Sequence, residues 1–196
     1  DDSQCKQKIQ LLVELYNEEN QLVSTQNKNL VDTITGETNE GYTQVCIMTN
    51  VSEPCLWNLE NPYLYQCRIR LLCGSEVIDT ASERVGLRTI TFDTQKGLFL
   101  NGKHVKLNGV CEHHDFGAIG ATFNRSAMRR KLEIIKKMGA NSIRSTHNMP
   151  AIGLLELCDE MGLLVVDEAF DMWERPKTEY DYARFFPQWW QKDVRS

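Results

Sequence analysis

The hydrophobic period of this chain changes near residue 97, and that change constrains its fold more than any other feature. Up to residue 92 apolar residues recur at every second position. "KIQLLVELY" puts Ile9, Leu11, Val13 and Leu15 on one face, and "YQCRIRL" sets Tyr65, Cys67, Ile69 and Leu71 against Gln66, Arg68 and Arg70. Half-buried antiparallel strands alternate in this way. Turn-forming stretches separate the runs: "NEEN" at 17–20, "TGETNEG" at 35–41 and "GS" at 74–75. Residues 1–92 therefore predict a β-sandwich.

From residue 97 strands and helices alternate. "GLFLNGKHVKL" is a hairpin pattern whose Asn101-Gly102 supplies the two positive-φ turn residues. "VKLNGV" (105–110) predicts a strand. "NRSAMRRKLEIIKKMG" predicts a helix capped by Asn124, with Met128, Leu132, Ile135 and Met138 as its apolar stripe and Gly139 past its end. "NSIRS" predicts a second strand, and "PAIGLLELCDEMG" a second helix with Pro150 in its first turn and Gly162 at its end. "LLVVDEAF" predicts a third strand, its unbroken apolar run suiting a parallel strand covered on both faces, and a third helix opens at Pro187. Consecutive βα units of this kind build a parallel sheet. "GVCEHHDFGAIG" lacks the bare glycine turn of a dinucleotide-binding sheet, whereas a (β/α)8 barrel gathers polar residues at the C-terminal ends of its strands. Three successive strand ends here carry "EHHD" (112–115), "RSTH" (144–147) and "DEAFDMW" (167–173). Residues 93–196 predict the first three units of such a barrel.

Composition excludes several functions. The formal net charge is −5, and the basic residues of "RRKLEIIKKMG" are interleaved with apolar ones, so no nucleic-acid partner is expected. No apolar run reaches bilayer length and residues 1–20 lack a signal-peptide core, so no membrane partner is expected. "DDSQCKQ" reads as a mature or cut N-terminus. Seven cysteines, at 5, 46, 55, 67, 73, 111 and 158, show no zinc-type spacing. Most are expected to be buried thiols, Cys67 and Cys158 at core positions, with one disulfide within 46–73 as the alternative.

At the strand ends, His113, His114, Asp115 and His147 are metal-ligand types, but adjacent histidines point apart and no helical histidine pair supports them. No metal or other cofactor is expected. Ser142 and Ser145 lack a nucleophile-elbow context. Asp167 and Glu168 are strand neighbours and must face opposite ways, so by themselves they are no glycosidase pair. One is expected in a hydrogen-bonded network and the other bracing a loop. If Ile143 packs under the helices, Arg144 points into the barrel and must meet a carboxylate, either as a structural ion pair or to orient a catalytic group. His147 and Asn148 lie beyond the strand, where side-chain donors and acceptors read a hydroxyl-rich ligand.

Four stretches together resemble glycoside hydrolase family 2, the β-galactosidase, β-glucuronidase and β-mannosidase group. They are "LWNLENPYLYQCRIRL" (56–71), "VGLRTITFDTQKGLFLNGKHVKLNGVCEHHD" (85–115), "GANSIRSTHNMP" (139–150) and "CDEMGLLVVDEAFDMW" (158–173). The resemblance implies an immunoglobulin-like domain, lacking one or two opening strands, followed by an incomplete catalytic TIM barrel. It implies that Arg144 contacts a nucleophilic glutamate and that His147 binds sugar hydroxyls. His113, Asp115, Asp167 and Glu168 would then be rim residues. "HN" at 147–148 stands where the best-known β-galactosidases carry histidine-tyrosine, and "DEAFDMWE" where they carry a second rim histidine. The family's acid/base glutamate follows an asparagine, and no Asn-Glu dipeptide occurs after residue 97. The expectation is thus a fragment of a retaining exo-β-glycosidase, galactosidase-like, whose two catalytic glutamates lie beyond Ser196. Such a fragment would be inactive alone and able to self-associate through its open barrel edge. The parent would act on carbohydrate in the periplasm or outside the cell, with the cytoplasm as the alternative. The competing reading is a non-catalytic carbohydrate-binding or assembly module using Trp57.

Overall fold

The computed structural model of the chain describes residues 9–30 and 44–195. The turn expected at 35–41 lies outside them. The fold consists of β-sandwich-like sheets followed by an unclosed, barrel-type arrangement of strands and helices. It divides into two compact units, residues 1–57 with 63–88 and residues 58–62 with 89–196.

The first unit holds a four-stranded antiparallel sheet of order β2-β1-β3-β4. Its strands are β1 (Ile9–Tyr16), β2 (Leu22–Asn29), β3 (Tyr65–Cys73) and β4 (Glu76–Val85). The β1–β2 turn closes on Asn17, whose Oδ1 accepts the Gln21 N–H at 2.7 Å, with Asn20 at φ 58°. Two aromatic residues of "LWNLENPYLY" are buried: Trp57 has no exposed surface and Tyr65 only 3%. Trp57 sits beneath the Arg88 guanidinium, 4.3 Å from ring centroid to Cζ. Gly86 lies flat on the indole, where a Cβ would come within 2.9 Å of three Trp57 atoms, so no larger residue fits without displacing the ring. A tryptophan so enclosed cannot present a face to a sugar, so Trp57 is not the ligand-binding surface of a carbohydrate-binding module.

The second unit begins with an antiparallel sheet of β5 (Ile90–Asp93), β6 (Gly97–Leu100) and β7 (Lys103–Val105). Asn101 and Gly102 take φ 51° and 76° between β6 and β7, the hairpin turn expected of them. A parallel sheet follows, of order β10-β9-β8, from β8 (Gly109–Glu112), β9 (Ser142–Ser145) and β10 (Leu164–Val166). Its crossovers are α1 (Arg125–Lys137) and α2 (Ile152–Met161), and α3 (Phe186–Arg195) follows β10. Asn124 caps α1 by accepting the Ala127 N–H at 2.9 Å. Met128, Leu132 and Ile135 of α1, Leu154, Leu157 and Cys158 of α2, and Ile143 of β9 form one buried cluster. Gly162 ends α2 at φ 69°, and a Cβ there would lie 2.5 Å from the Leu59 carbonyl oxygen.

The structure corrects several expectations. The first parallel strand is 109–112, because Val105 ends the preceding hairpin and residues 106–108 only connect the two sheets. Met138 is 63% exposed, because the helix has ended at Lys137 and Met138 no longer follows the apolar stripe. Pro150 precedes the Ala151 cap of α2 instead of lying in its first turn. Val166 is exposed, so β10 is not covered on both faces within the described residues. Cys73 is disulfide-bonded, whereas Cys46, Cys55 and Cys67 are reduced, so the bridge is not made within 46–73. Cys46 and Cys111 are exposed instead of buried.

Leu132→Ala should empty the centre of the α1–α2 cluster. We expect a loss of about 2–5 kcal/mol in the denaturant-derived stability of the second unit. Burial pushes the Cys158 thiol up to about 12, with the Asp159 and Glu112 charges adding to it. Iodoacetamide at neutral pH should therefore label Cys46 and Cys111 but leave Cys158 unmodified until denaturant is added, as read by peptide mass spectrometry.

Candidate functional site

Parallel register brings the three strand ends side by side. Cys111 of β8 and Val166 of β10 both pair with Arg144 of β9, and Glu112 pairs with Ser145. Residues 144 and 166 therefore share one face, while 143 and 145 share the other. Ile143 is packed into the helical cluster at 1% exposure, which forces Arg144 outward from that core.

There Arg144 meets Glu168. Its Nη2 lies 2.8 Å from Glu168 Oε2 and 2.9 Å from Oε1. The same Oε2 is 3.0 Å from His147 Nδ1. An ionised carboxylate can only accept, so Nδ1 must carry the proton of that bond. The 3.4 Å approach of Arg144 Nη2 to His147 Nδ1 is then a contact between two donors, held by the carboxylate they share. His147 Nε2 takes no part in this bond. Its ring packs edge-on against His113, with centroids 5.7 Å apart. The Thr146–His147 peptide is cis. Asp171 stands 3.8 Å from His147 Nδ1 and pairs with Lys177 at 2.7 Å.

Asp167, like Glu168, lies just past the end of β10, but it meets a different partner. Its Oδ1 accepts from the buried Ser145 hydroxyl at 3.1 Å. Asp115 stays apart from the Arg144–Glu168–His147 cluster. Its Oδ1 accepts the Gly117 N–H at 2.7 Å and its carbonyl accepts from Lys131, which organises a local turn. Asn148 is exposed and its backbone bridges to Phe170. So the structure joins Arg144, His147, His113 and Glu168, with Asp167 just behind them, and leaves Asp115 and Asn148 outside that contact network.

Four participants were not anticipated. Asp171 and Lys177 belong to a loop whose path no periodicity fixes. Ser145 is weighed in sequence only as a nucleophile, and the missing elbow context says nothing of a hydroxyl that bridges to the next strand's end. Glu112 is a carboxylate at 4% exposure, paired with Lys131. Its signal was a charged residue at the end of an apolar strand.

His147, Glu168 and Asp171 could each turn a ligand atom to one metal ion, all within 4.8 Å of one another. Two of the three already hold cationic side chains, Arg144 on Glu168 and Lys177 on Asp171. A dication would have to displace both, so the donor set fits the cations it has. Two clefts adjoin the cluster. One of about 660 Å³ is lined by Asp167, Glu168, Asp171, Trp173, Phe186 and Trp190 among others. Another, of about 430 Å³, is lined by His147, Asn148, Asp171, Asp181, Tyr182 and Asp193 among others, with no lysine or arginine.

The profile described as "Glycosyl hydrolases family 2" matches residues 1–88, and that of "Glycosyl hydrolases family 2, TIM barrel domain" matches 93–178. The chain belongs to glycoside hydrolase family 2. Within this family it is 49% identical over 144 residues to Beta-galactosidase BoGH2A of Bacteroides ovatus, covering 74% of this chain and 17% of that protein. It is 42% identical over 153 residues to a putative beta-glucuronidase of Formosa agariphila, covering 78% of this chain and 15% of that one. A crystal structure of a beta-glycosidase from Bacteroides vulgatus superposes with a TM-score of 0.83 at 31% identity, over 97% of this chain and 23% of the other. A family 2 member from Bacteroides cellulosilyticus gives 0.81 at 37%, over 96% and 24%. The chain thus spans less than a quarter of each of these family 2 proteins.

Burial works against the charge on Glu168, but the hydrogen bonds of His147 and Arg144 and their positive charge outweigh it and hold its carboxyl below the usual range. The Lys177 hydrogen bond depresses Asp171 in the same direction. A carboxyl depressed by folding stabilises the fold fully above its unfolded pKa, near 4.5 for glutamate, and loses that contribution as pH falls through the lower folded value. The stability difference between wild type and Glu168→Gln should therefore be constant from about pH 7 to pH 5 and shrink toward about pH 3, as measured by urea unfolding.

Proposed function

We propose that this chain supplies part of the sugar-binding rim of a retaining exo-β-glycosidase acting on a neutral, galactoside-like terminal sugar. The observation that carries the proposal is the Arg144–Glu168–His147 cluster at adjacent parallel strand ends, since barrel enzymes place their chemistry at that end. In this reading Arg144 and Glu168 form a fixed ionic frame. His147 offers Nε2 to a sugar hydroxyl, and His113 supports its ring. Asn148, exposed beyond the cluster, is a further hydroxyl-binding group, and Asp115 keeps the β8 loop in place. Retaining hydrolysis needs two carboxyl groups about 5 Å apart across the scissile bond, one as nucleophile and one as acid/base. Asp167 is held by Ser145, and Glu168 is engaged by Arg144 and His147, so neither is assigned these roles. The two catalytic glutamates are proposed to come from other strands of the barrel, and the 196-residue chain alone is proposed to be inactive.

The sugar's charge is argued from the lining. Asp171, Asp181 and Asp193 surround the cleft beside His147, without a lysine or arginine among the residues that line it. A uronate carboxylate would meet like charge there, whereas neutral hydroxyls would meet acceptors.

An aryl β-glycoside panel tests the proposal. The 196-residue chain should show no turnover. A protein carrying these residues in a complete barrel should prefer the β-galactoside to the β-glucuronide. In that protein Arg144→Ala should lower kcat/KM by about 100-fold or more and His147→Ala by about 10- to 100-fold. Preference for the glucuronide would refute the neutral-sugar assignment, and full activity after both substitutions would refute the rim assignment.

A further inference from the structure

Ser145 is the last residue of β9 and has no exposed surface. The β9–β10 ladder runs Ser142↔Leu164, Ile143↔Val165, Arg144↔Val166 and then stops. Where the next rung would fall, the Ser145 side chain takes over. Its hydroxyl donates to Asp167 Oδ1 at 3.1 Å and accepts the Glu168 N–H at 2.9 Å. A hydroxyl has one proton and two lone pairs, so a single oxygen can hold both neighbours at once. The two bonds act on consecutive residues that meet different partners. The first holds the Asp167 carboxylate at the Ser145 hydroxyl. The second fixes the Glu168 backbone where the strand ends, and so fixes the origin from which the Glu168 side chain reaches Arg144 and His147.

We propose that Ser145 is a positioning residue that replaces the missing rung between β9 and β10, parting Asp167 from Glu168 so that Glu168 alone enters the Arg144–His147 grip. Its target is the ionic frame of the rim. The bond to a carboxylate is charge-assisted and starts from a fully buried hydroxyl, and is therefore stronger than a neutral contact of the same length. An alanine would leave the Asp167 oxygen and the Glu168 N–H each without this partner, which comes from a serine that itself has no exposed surface. The relevance of this to sugar binding rests on the glycosidase reading above. The geometry does not, and the test reads the chain itself, so failure of one can be told from failure of the other.

Amide hydrogen exchange and carboxyl carbon-13 titration of the 196-residue chain provide that test. In wild type the Glu168 N–H should be protected about as well as the ladder amide of Ile143. Exchange at the rate of an unstructured peptide would overturn the proposal, whether or not any variant folds. In Ser145→Ala the Glu168 N–H should exchange about tenfold faster, and the Glu168 carboxyl midpoint should rise toward the ordinary glutamate value. The core amides of Leu132 and Leu157 should keep their protection. A merely space-filling serine would leave the Glu168 midpoint where it is, and an unchanged midpoint in a folded Ser145→Ala chain would sink the idea. Ser145→Thr, which keeps the hydroxyl, should restore the low midpoint. Failure to do so with the fold intact would also count against the proposal.

Discussion

One carboxylate, Glu168, organises the rim. It accepts from an arginine that strand parity turns away from the helical core and from a histidine just beyond the same strand. Arg144 cannot fold back into the cluster of Met128, Leu132, Ile143 and Leu157, because an unpaired guanidinium in that apolar setting would be far more costly than any contact it gained. Once Arg144 is committed to the other face, Glu168 must arrive there from the adjacent strand. The parallel register, with Val166 opposite Arg144, brings the chain to within two residues of that position. The local chemistry then follows from sheet geometry: a cation on one strand, an anion from the next, and a histidine sharing the anion.

That geometry depends on the packing beneath it. The crossovers α1 and α2 hold β9 between its neighbours by burying Ile143, and the Asn124 cap fixes where α1 begins. Gly162 lets the chain turn from α2 into β10 in a left-handed conformation that a larger residue would take only under strain. Each device is local, yet together they set the level at which Arg144 and Glu168 meet. A displacement of one residue in the β9–β10 pairing would place Val165 opposite Arg144 and send every side chain to the wrong face.

Much of this was legible in sequence because it obeys period and parity. The alternating strands of the first unit, the Asn101-Gly102 hairpin, the two crossover helices and the demand of Arg144 for a carboxylate all follow from local rules. What escaped reading depends on where strands stop. "VKLNGV" looks like one strand, yet the chain leaves the hairpin at Val105 and enters the next sheet at Gly109, and nothing in the apolar pattern marks that break. Met138 continues the arithmetic of the α1 stripe, but the helix ends before it. Asp171 and Lys177 find each other across a loop, and Ser145 acts through its hydroxyl where a ladder ends. These placements come from tertiary closure, which no periodicity encodes.

The cations of the rim are spent internally, and this shapes what a ligand would meet. Arg144 is held by Glu168 and Lys177 by Asp171, while Lys131 satisfies the buried Glu112. The nearby carboxylates retain lone pairs that a single cationic partner does not exhaust. Under the proposed function, an incoming molecule would therefore find mainly acceptors, together with the Nε2 of His147, which donates only when the ring is charged. A surface of that kind rewards a ligand that brings many donors and no negative charge of its own. Polyhydroxylated neutral sugars have that character. A metal dication at His147, Glu168 and Asp171 is disfavoured because the two carboxylates are already in ion pairs. Binding one would strip Arg144 and Lys177 of their partners and leave two positive side chains beside the newly bound charge. Side-chain cations already carry out the charge balance that a metal would otherwise supply.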